Sequence, residues 1–298
     1  MDRRALLITG VTVVLAAAAA AAGLALGRDG DKSPRLAGRI AVVEGCGLRH
    51  MWPDGTDQRR LCLRDISAAV SLSRDGRTLA WDTKASSTFG ILVADADAKN
   101  ERGLQLPPGV NFEPSLSPDG NRLAFLHSPA DDGRYDVWTT STDTSLDVAE
   151  QVTAVRGVSF VAWSSAEHAL AYVKGGSGET REGTIVLVRP DGDDERLLGR
   201  GGEPAWSPDG EHIAFVRGTD LWTAALDGSQ QRLRVRNGRS PAWSRDGDQI
   251  AFLRAEKCGR PACKERVFVA FSDGSNQHAV GPGFPAGRSL LWLPDPNE

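Results

Sequence analysis

Four cysteines and five histidines are the residues of this sequence best suited to redox or metal chemistry. The histidines, His50, His127, His168, His212 and His278, are scattered, and none stands at a zinc-ligand spacing. Cys46, Cys62, Cys258 and Cys263 therefore read as two disulfides of an exported chain rather than as a metal site or a redox pair. Cys258 with Cys263 would staple the CGRPAC loop and Cys46 with Cys62 would tie the first repeat, but four cysteines allow three pairings. There is no Ser-His-Asp order, no paired-acid signature and no phosphate-cradling glycine loop. The expectation is a protein that binds rather than catalyses, with no catalytic residue, no metal and no cofactor.

The polar residues that could converge on a ligand are Asn111, Glu113, Arg156, Glu203, Arg239 and Arg288. Each stands just before one copy of a repeated phrase, so the repeat decides what positions them. The phrase occurs at 70–81 (VSLSRDGRTLAW), 114–125 (PSLSPDGNRLAF), 204–215 (PAWSPDGEHIAF) and 241–252 (PAWSRDGDQIAF). A degenerate copy at 161–172 (VAWSSAEHALAY) has lost its Asp-Gly. A period of about 40 residues is that of a propeller blade.

Each copy reads as a short strand ending in Trp or Leu, a tight turn, and a second strand with an Ile/Leu-Ala-aromatic core. Pro presets φ at the second turn position, Asp bonds its own backbone, and Gly takes the dihedral that other residues avoid. Third strands follow at 89–94, 135–139, 184–188, 220–226 and 267–271, and a second Asp-Gly turn leads to a short fourth strand. Near the N-terminus, Ile40 to Val43, Leu48 and Asp54-Gly55 align with Ile213 to Val216, Leu221 and Asp227-Gly228, so this first unit lacks an innermost strand. The C-terminal SLLWLPD at 289–295 matches PAWSPD at 204–209 and supplies it. The fold expected is all-β: a six-bladed β-propeller of four-stranded antiparallel blades, closed by the C-terminal strand joining the N-terminal blade. Trp163, Trp206, Trp243 and Trp292 on inner strands, and Trp81, Phe125, Tyr172, Phe215 and Phe252 on second strands, read as packing residues between blades.

The phrase PAWSPDG followed by IAF resembles the repeat of TolB-like propellers, relatives of WD-repeat blades, over roughly residues 38–295. The resemblance implies an envelope-located protein that binds other proteins. The chain departs from TolB in lacking the separate N-terminal α/β domain, so a role in the Tol-Pal system does not carry over. The competing function is a hydrolase or lactonase-like enzyme with a metal in its channel, for which Glu113 and Glu203 beside Arg239 and Arg288 are a poor ligand set.

Residues 1–27 stand apart. Arg3 and Arg4 precede an uncharged run from Ala5 to Gly27 that includes seven alanines, Ala16 to Ala22. This run is long enough to cross a bilayer and is oriented to send the remainder out of the cytoplasm. It reads as a signal anchor of a single-pass membrane protein. The alternative is a cleaved signal, with Ala25-Leu26-Gly27 at the peptidase site and a secreted or periplasmic product. Residues 28–37 are a linker and 38–298 the propeller. A net charge of -4, with acids and bases mixed along the chain, excludes nucleic acid as a partner. The longest loops, at 127–134, 174–183 and 254–266, share one face with all four cysteines, and that face is expected to meet an envelope or secreted protein or a cell-wall polymer.

Overall fold

The computed structural model describes residues 38–85, 88–130, 132–143, 148–165, 169–177, 182–255, 264–284 and 290–293. The segment 1–27, the linker 28–37, Cys258, Cys263, Arg288 and part of each long loop lie outside them. Every regular element among the described residues is a strand.

β1 (Ile40–Glu44), β2 (Gly47–Met51) and β3 (Arg59–Cys62) form the first unit. β4 (Ile66–Leu72), β5 (Thr78–Ala85), β6 (Thr88–Asp95) and β7 (Arg102–Gly103) form the next sheet. β8 (Val110–Leu116), β9 (Arg122–Ser128), β10 (Asp136–Ser141) and β11 (Glu150–Gln151) form another. A seven-stranded sheet then runs through β12 (Val158–Trp163), β13 (Leu170–Ser177), β14 (Glu182–Val188), β15 (Arg196–Trp206), β16 (His212–Arg217), β17 (Asp220–Ala225) and β18 (Arg232–Val235). β19 (Arg239–Trp243), β20 (Gln249–Ala255), β21 (Glu265–Phe271) and β22 (His278–Phe284) make a further sheet, and β23 (Leu290–Trp292) returns to pair with β1.

The seven-stranded sheet is two four-stranded units that share β15. The first part of β15 pairs with β14, Thr184 opposite Arg200, and the last part with β16, Ala205 opposite Ala214. At the other junction Ile40 lies opposite Trp292 and Val42 opposite Leu290, the pairing expected of the C-terminal match.

Why these sequences make hairpins is visible in the inner turns. Ser117 donates its hydroxyl to Asp119 (2.6 Å) while accepting the N–H of Arg122 (2.9 Å), and Asp119 in turn accepts the N–H of Asn121 (3.1 Å). The same three bonds recur at Ser73-Asp75, Ser207-Asp209 and Ser244-Asp246. Serine, read from the sequence only as a turn residue, is thus the hub of the turn. The outer Asp-Gly turns carry a second duty. Gly228 has φ +77°, and a Cβ there would come within 2.6 Å of the Leu198 carbonyl on the preceding unit. At Gly55, φ +83°, it would come within 2.7 Å of the Gly281 nitrogen on β22. Only glycine serves at both, because the dihedral and the approach of a neighbouring backbone each exclude a side chain.

The core lies between sheets. One buried cluster joins Val43 and Leu48 to Leu79 and Trp81, and another joins Ile40, Val42 and Met51 to Leu253, Val267 and Val269. The first unit therefore packs against both the second sheet and the last. Trp81, Phe125, Tyr172, Phe215 and Phe252 are at most 1% exposed, and each contributes about 1.5–3 kcal/mol by burial.

Candidate functional site

The inner edges of the sheets converge. Residues of β4, β8, β12, the end of β15, β19 and β23 line one cavity of about 720 Å³. Its ionisable groups, Glu113, Glu203, Arg239 and Glu265, stand with Ser240 at one mouth. At the opposite end a pocket of about 200 Å³ is bordered by Arg74, Pro118, Pro208 and Arg245 of the inner turns. Trp163, Trp206, Trp243 and Trp292 line both.

Local backbone geometry aims the mouth residues. Glu113, Glu203 and Ser240 hold the same place in their repeats, one before Pro114, Pro204 and Pro241, and have φ of +56°, +48° and +50°. A register shift accompanies each, between Phe112 and Ser115, Gly202 and Ala205, and Arg239 and Ala242. Bulges of this kind re-aim a side chain, and the following proline already bars the right-handed helical region. Left-handed backbone at a non-glycine residue costs of order 1–3 kcal/mol and persists where neighbours over-determine it. Here carboxylates do so. Asp82, fully buried, accepts the N–H groups of Ala68 (2.7 Å) and Ala69 (2.9 Å) through one oxygen and that of Glu113 (3.3 Å) through the other. Glu203 Oε2 accepts the N–H of Ser240 at 2.6 Å. Arg239 forks onto both oxygens of Glu265, at 2.7 and 2.6 Å.

No family model matches the chain, and no curated protein matches it in sequence. Solved structures do match. TolB from Acinetobacter baumannii superposes with a TM-score of 0.70 at 16% identity, over 88% of this chain and 68% of that one. A protein assigned as TolB from Agrobacterium tumefaciens gives 0.64 at 19% identity, over 87% and 93%. A chain of a nidogen/laminin complex gives 0.62 at 8% identity, over 85% and 97%. The fold is a TolB-like β-propeller.

In a TolB-like propeller the sheets are blades and the cavity is the axial channel. Of the residues singled out in the sequence, the propeller brings Glu113, Glu203 and Arg239 together at one channel mouth. Asn111 and Arg156 are not among the residues that line the cavity. Asn111 is buried against His127, its Oδ1 2.9 Å from Nδ1, and donates to the Pro107 carbonyl. Burial also lowers the pKa of His127, with Asp136 opposing. Arg156 points to Asp132 at 3.0 Å, and its backbone N–H is taken by Asp136. Both stand too early in their repeats, since the position equivalent to Glu113 in the fourth blade is Phe160, which does line the channel. Arg288 lies outside the described residues.

Three contributors escaped the sequence reading. Ser240 carried a signal, because it precedes Pro241 as the two glutamates precede their prolines. Asp82 carried one as well, standing where other copies have Leu126, Val173, Val216 and Leu253. Glu265 reaches Arg239 only through strand pairing across a long loop and had none. The inner tryptophans do more than pack. Trp206 Nε1 donates to the Ala162 carbonyl (3.2 Å) and Trp243 Nε1 to that of Ala205 (3.1 Å), linking neighbouring inner strands while forming the channel wall. Cys46 and Cys62 are joined, tying the β1–β2 turn to the end of β3. Among the described residues, Asp209, Glu211 and His212 lie close enough to share an ion. They sit on an inner turn at the other end, where Asp209 already serves Ser207 and Glu211.

Proposed function

We propose that this chain is a six-bladed, non-enzymatic binding module of the cell envelope that receives a partner at the carboxylate-bearing mouth of its channel. The count of six takes the seven-stranded sheet as two blades sharing β15. One observation carries the binding reading: inner strands of all the blades converge on a single cavity of about 720 Å³ whose ionisable groups stand at one mouth. A concave site with a few convergent polar groups is what recognition of a partner's side chains requires. The engagement of Glu203 with Ser240 and of Glu265 with Arg239 favours this over hydrolysis centred on an ion. The Cys46–Cys62 disulfide supports an oxidising, extracytoplasmic compartment.

Among the described residues no helix is long and apolar enough to cross a membrane. Residues 1–27 are the segment that would hold the chain at the membrane or, if cleaved, release it to the periplasm or beyond. The partner is an envelope or secreted protein, or a cell-wall polymer. A photoreactive amino acid at Ser240 should capture the same partner repeatedly from cell envelopes, whereas one at Asp227, on an outer turn, should not. Capture from Asp227 alone, or from neither, refutes the reading. A stoichiometric divalent metal in the purified protein would turn it toward the enzyme.

A further inference from the structure

The outer rim of two neighbouring blades is unlike the rest of the circumference. β15 opens with Arg196 and Leu197 and continues to Arg200, and β18 with the residue after it reads Arg232, Leu233, Arg234, Val235, Arg236. The turn that leads into β18 rests on β15, Gly228 against the Leu198 carbonyl. Among these five arginines, ion pairs form at Arg200, with Glu182 at 2.8 Å, and at Arg236, with Asp220 at 3.8 Å. Arg234 bonds the Thr223 hydroxyl instead, and burial, then neighbouring Arg232, lower its pKa while Asp273 opposes them. Arg196 and Arg232 stand exposed. Between them the rim exposes Leu197 at 72% and Leu233 at 36%.

Other rims differ. On β3, Arg59 and Arg60 are paired with Asp57 and Glu44, and β11 offers Glu150 and Gln151. Charge alone would be explained as protection of an edge strand from pairing, but exposed leucines defeat that purpose. The acids of this region, Asp191, Asp193, Asp194 and Glu195, lie on the turn before β15, whereas along the outer parts of β15 and β18 themselves guanidinium groups alternate with exposed leucines, a pattern that suits a surface that is anionic at its face and apolar just beneath.

We propose that the rim formed by β15 and β18 docks on an anionic phospholipid surface, its arginines on headgroup phosphates and Leu197 and Leu233 in the interface. Guanidinium forks match phosphate geometry. The proposal is independent of the channel-mouth reading, from which it differs in both surface and partner.

The test uses the full chain and vesicles of phosphatidylcholine with and without one third phosphatidylglycerol. The wild type should partition more strongly onto the anionic vesicles. Each arginine near such a surface is worth about fivefold, so the triple variant R196Q/R200Q/R232Q should lose about 100-fold of that preference. The corresponding lysine variant should keep most of it. R77Q/R189Q, exposed arginines on the turn-bearing side, should change it less than about threefold. L197S/L233S should weaken binding several-fold at salt that screens the charges. Equal circular dichroism would establish that the variants fold. A triple variant that keeps its preference, a control that loses as much, or binding to soluble polyanions without binding to vesicles would overturn the proposal.

Discussion

Ile40 and Trp292 lie directly opposite each other, the first residue of β1 against the last of β23. The ring thus closes by a pairing between the two ends of the described chain. Removing residues 289–298 deletes β23 and with it Leu290 and Leu293, which are 6% and 0% exposed. Their burial is worth about 1.5–3 kcal/mol each, so Tm should fall by about 6–12 °C or more. A calorimetric scan of the truncated chain against the full one measures it, and an unchanged Tm would remove the closing strand from any account of stability.

The inner turns make a sharper prediction. Replacing Ser207 by alanine strands the His212 N–H and takes the hydroxyl from Asp209. The loss should be about 1–3 kcal/mol in denaturant unfolding, and threonine should recover most of it.

His50 is 1% exposed on β2, and its pKa is lowered to about 4, first by burial and then by Arg39 and Arg59, with Asp57 opposing. The folded state therefore keeps the imidazole neutral, while the unfolded chain takes up a proton below the ordinary histidine value of 6.5. Stability from this residue is complete above pH 6.5 and declines as pH falls toward 4, by about 3 kcal/mol in all. Urea titrations across that window should show the slope in the wild type and a flatter profile in His50→Asn.

Arg217 and Arg254 hold the same place in successive blades and do the same work. Arg217 lies over the Phe215 and Trp222 rings and bonds the Arg200 carbonyl and Gln231, while Arg254 lies over Phe252 and Phe268 and bonds the Asn237 carbonyl and Gln277. Methionine at either position keeps an unbranched stem but loses the charge and the donors. Each substitution should cost about 1–3 kcal/mol, measured by chemical denaturation, and the two effects should be similar.

Much of the architecture could be read because the turn phrase recurs intact. Its serine, aspartate and glycine serve the hairpin that contains them, so strand positions and the closing match of the C-terminus followed from local chemistry. What depends on a neighbouring blade was harder to see. The outer phrases DGTDQ at 54–58, DGSQQ at 227–231 and DGSNQ at 273–277 share more than Asp-Gly: in each, the glutamine side chain donates to the glycine carbonyl. The glycine is required partly because another backbone lies against it. The site divided in the same way. Glu113 and Glu203 were found through their place in the repeat, whereas Asn111 and Arg156 stand outside the cavity lining because the bulge, rather than the strand's first residue, sets which side chain enters the channel. Glu265 meets Arg239 by register alone.

β15 runs unbroken from Arg196 at the rim to Trp206 at the axis, changing partners on the way but passing through no loop. It acts as a spoke. From Arg196 at the rim to Glu203 at the channel mouth the chain is one strand, and one hydrogen bond carries on from Glu203 to Ser240 in the next blade. Rim and mouth of neighbouring blades are thus only one strand and one bond apart.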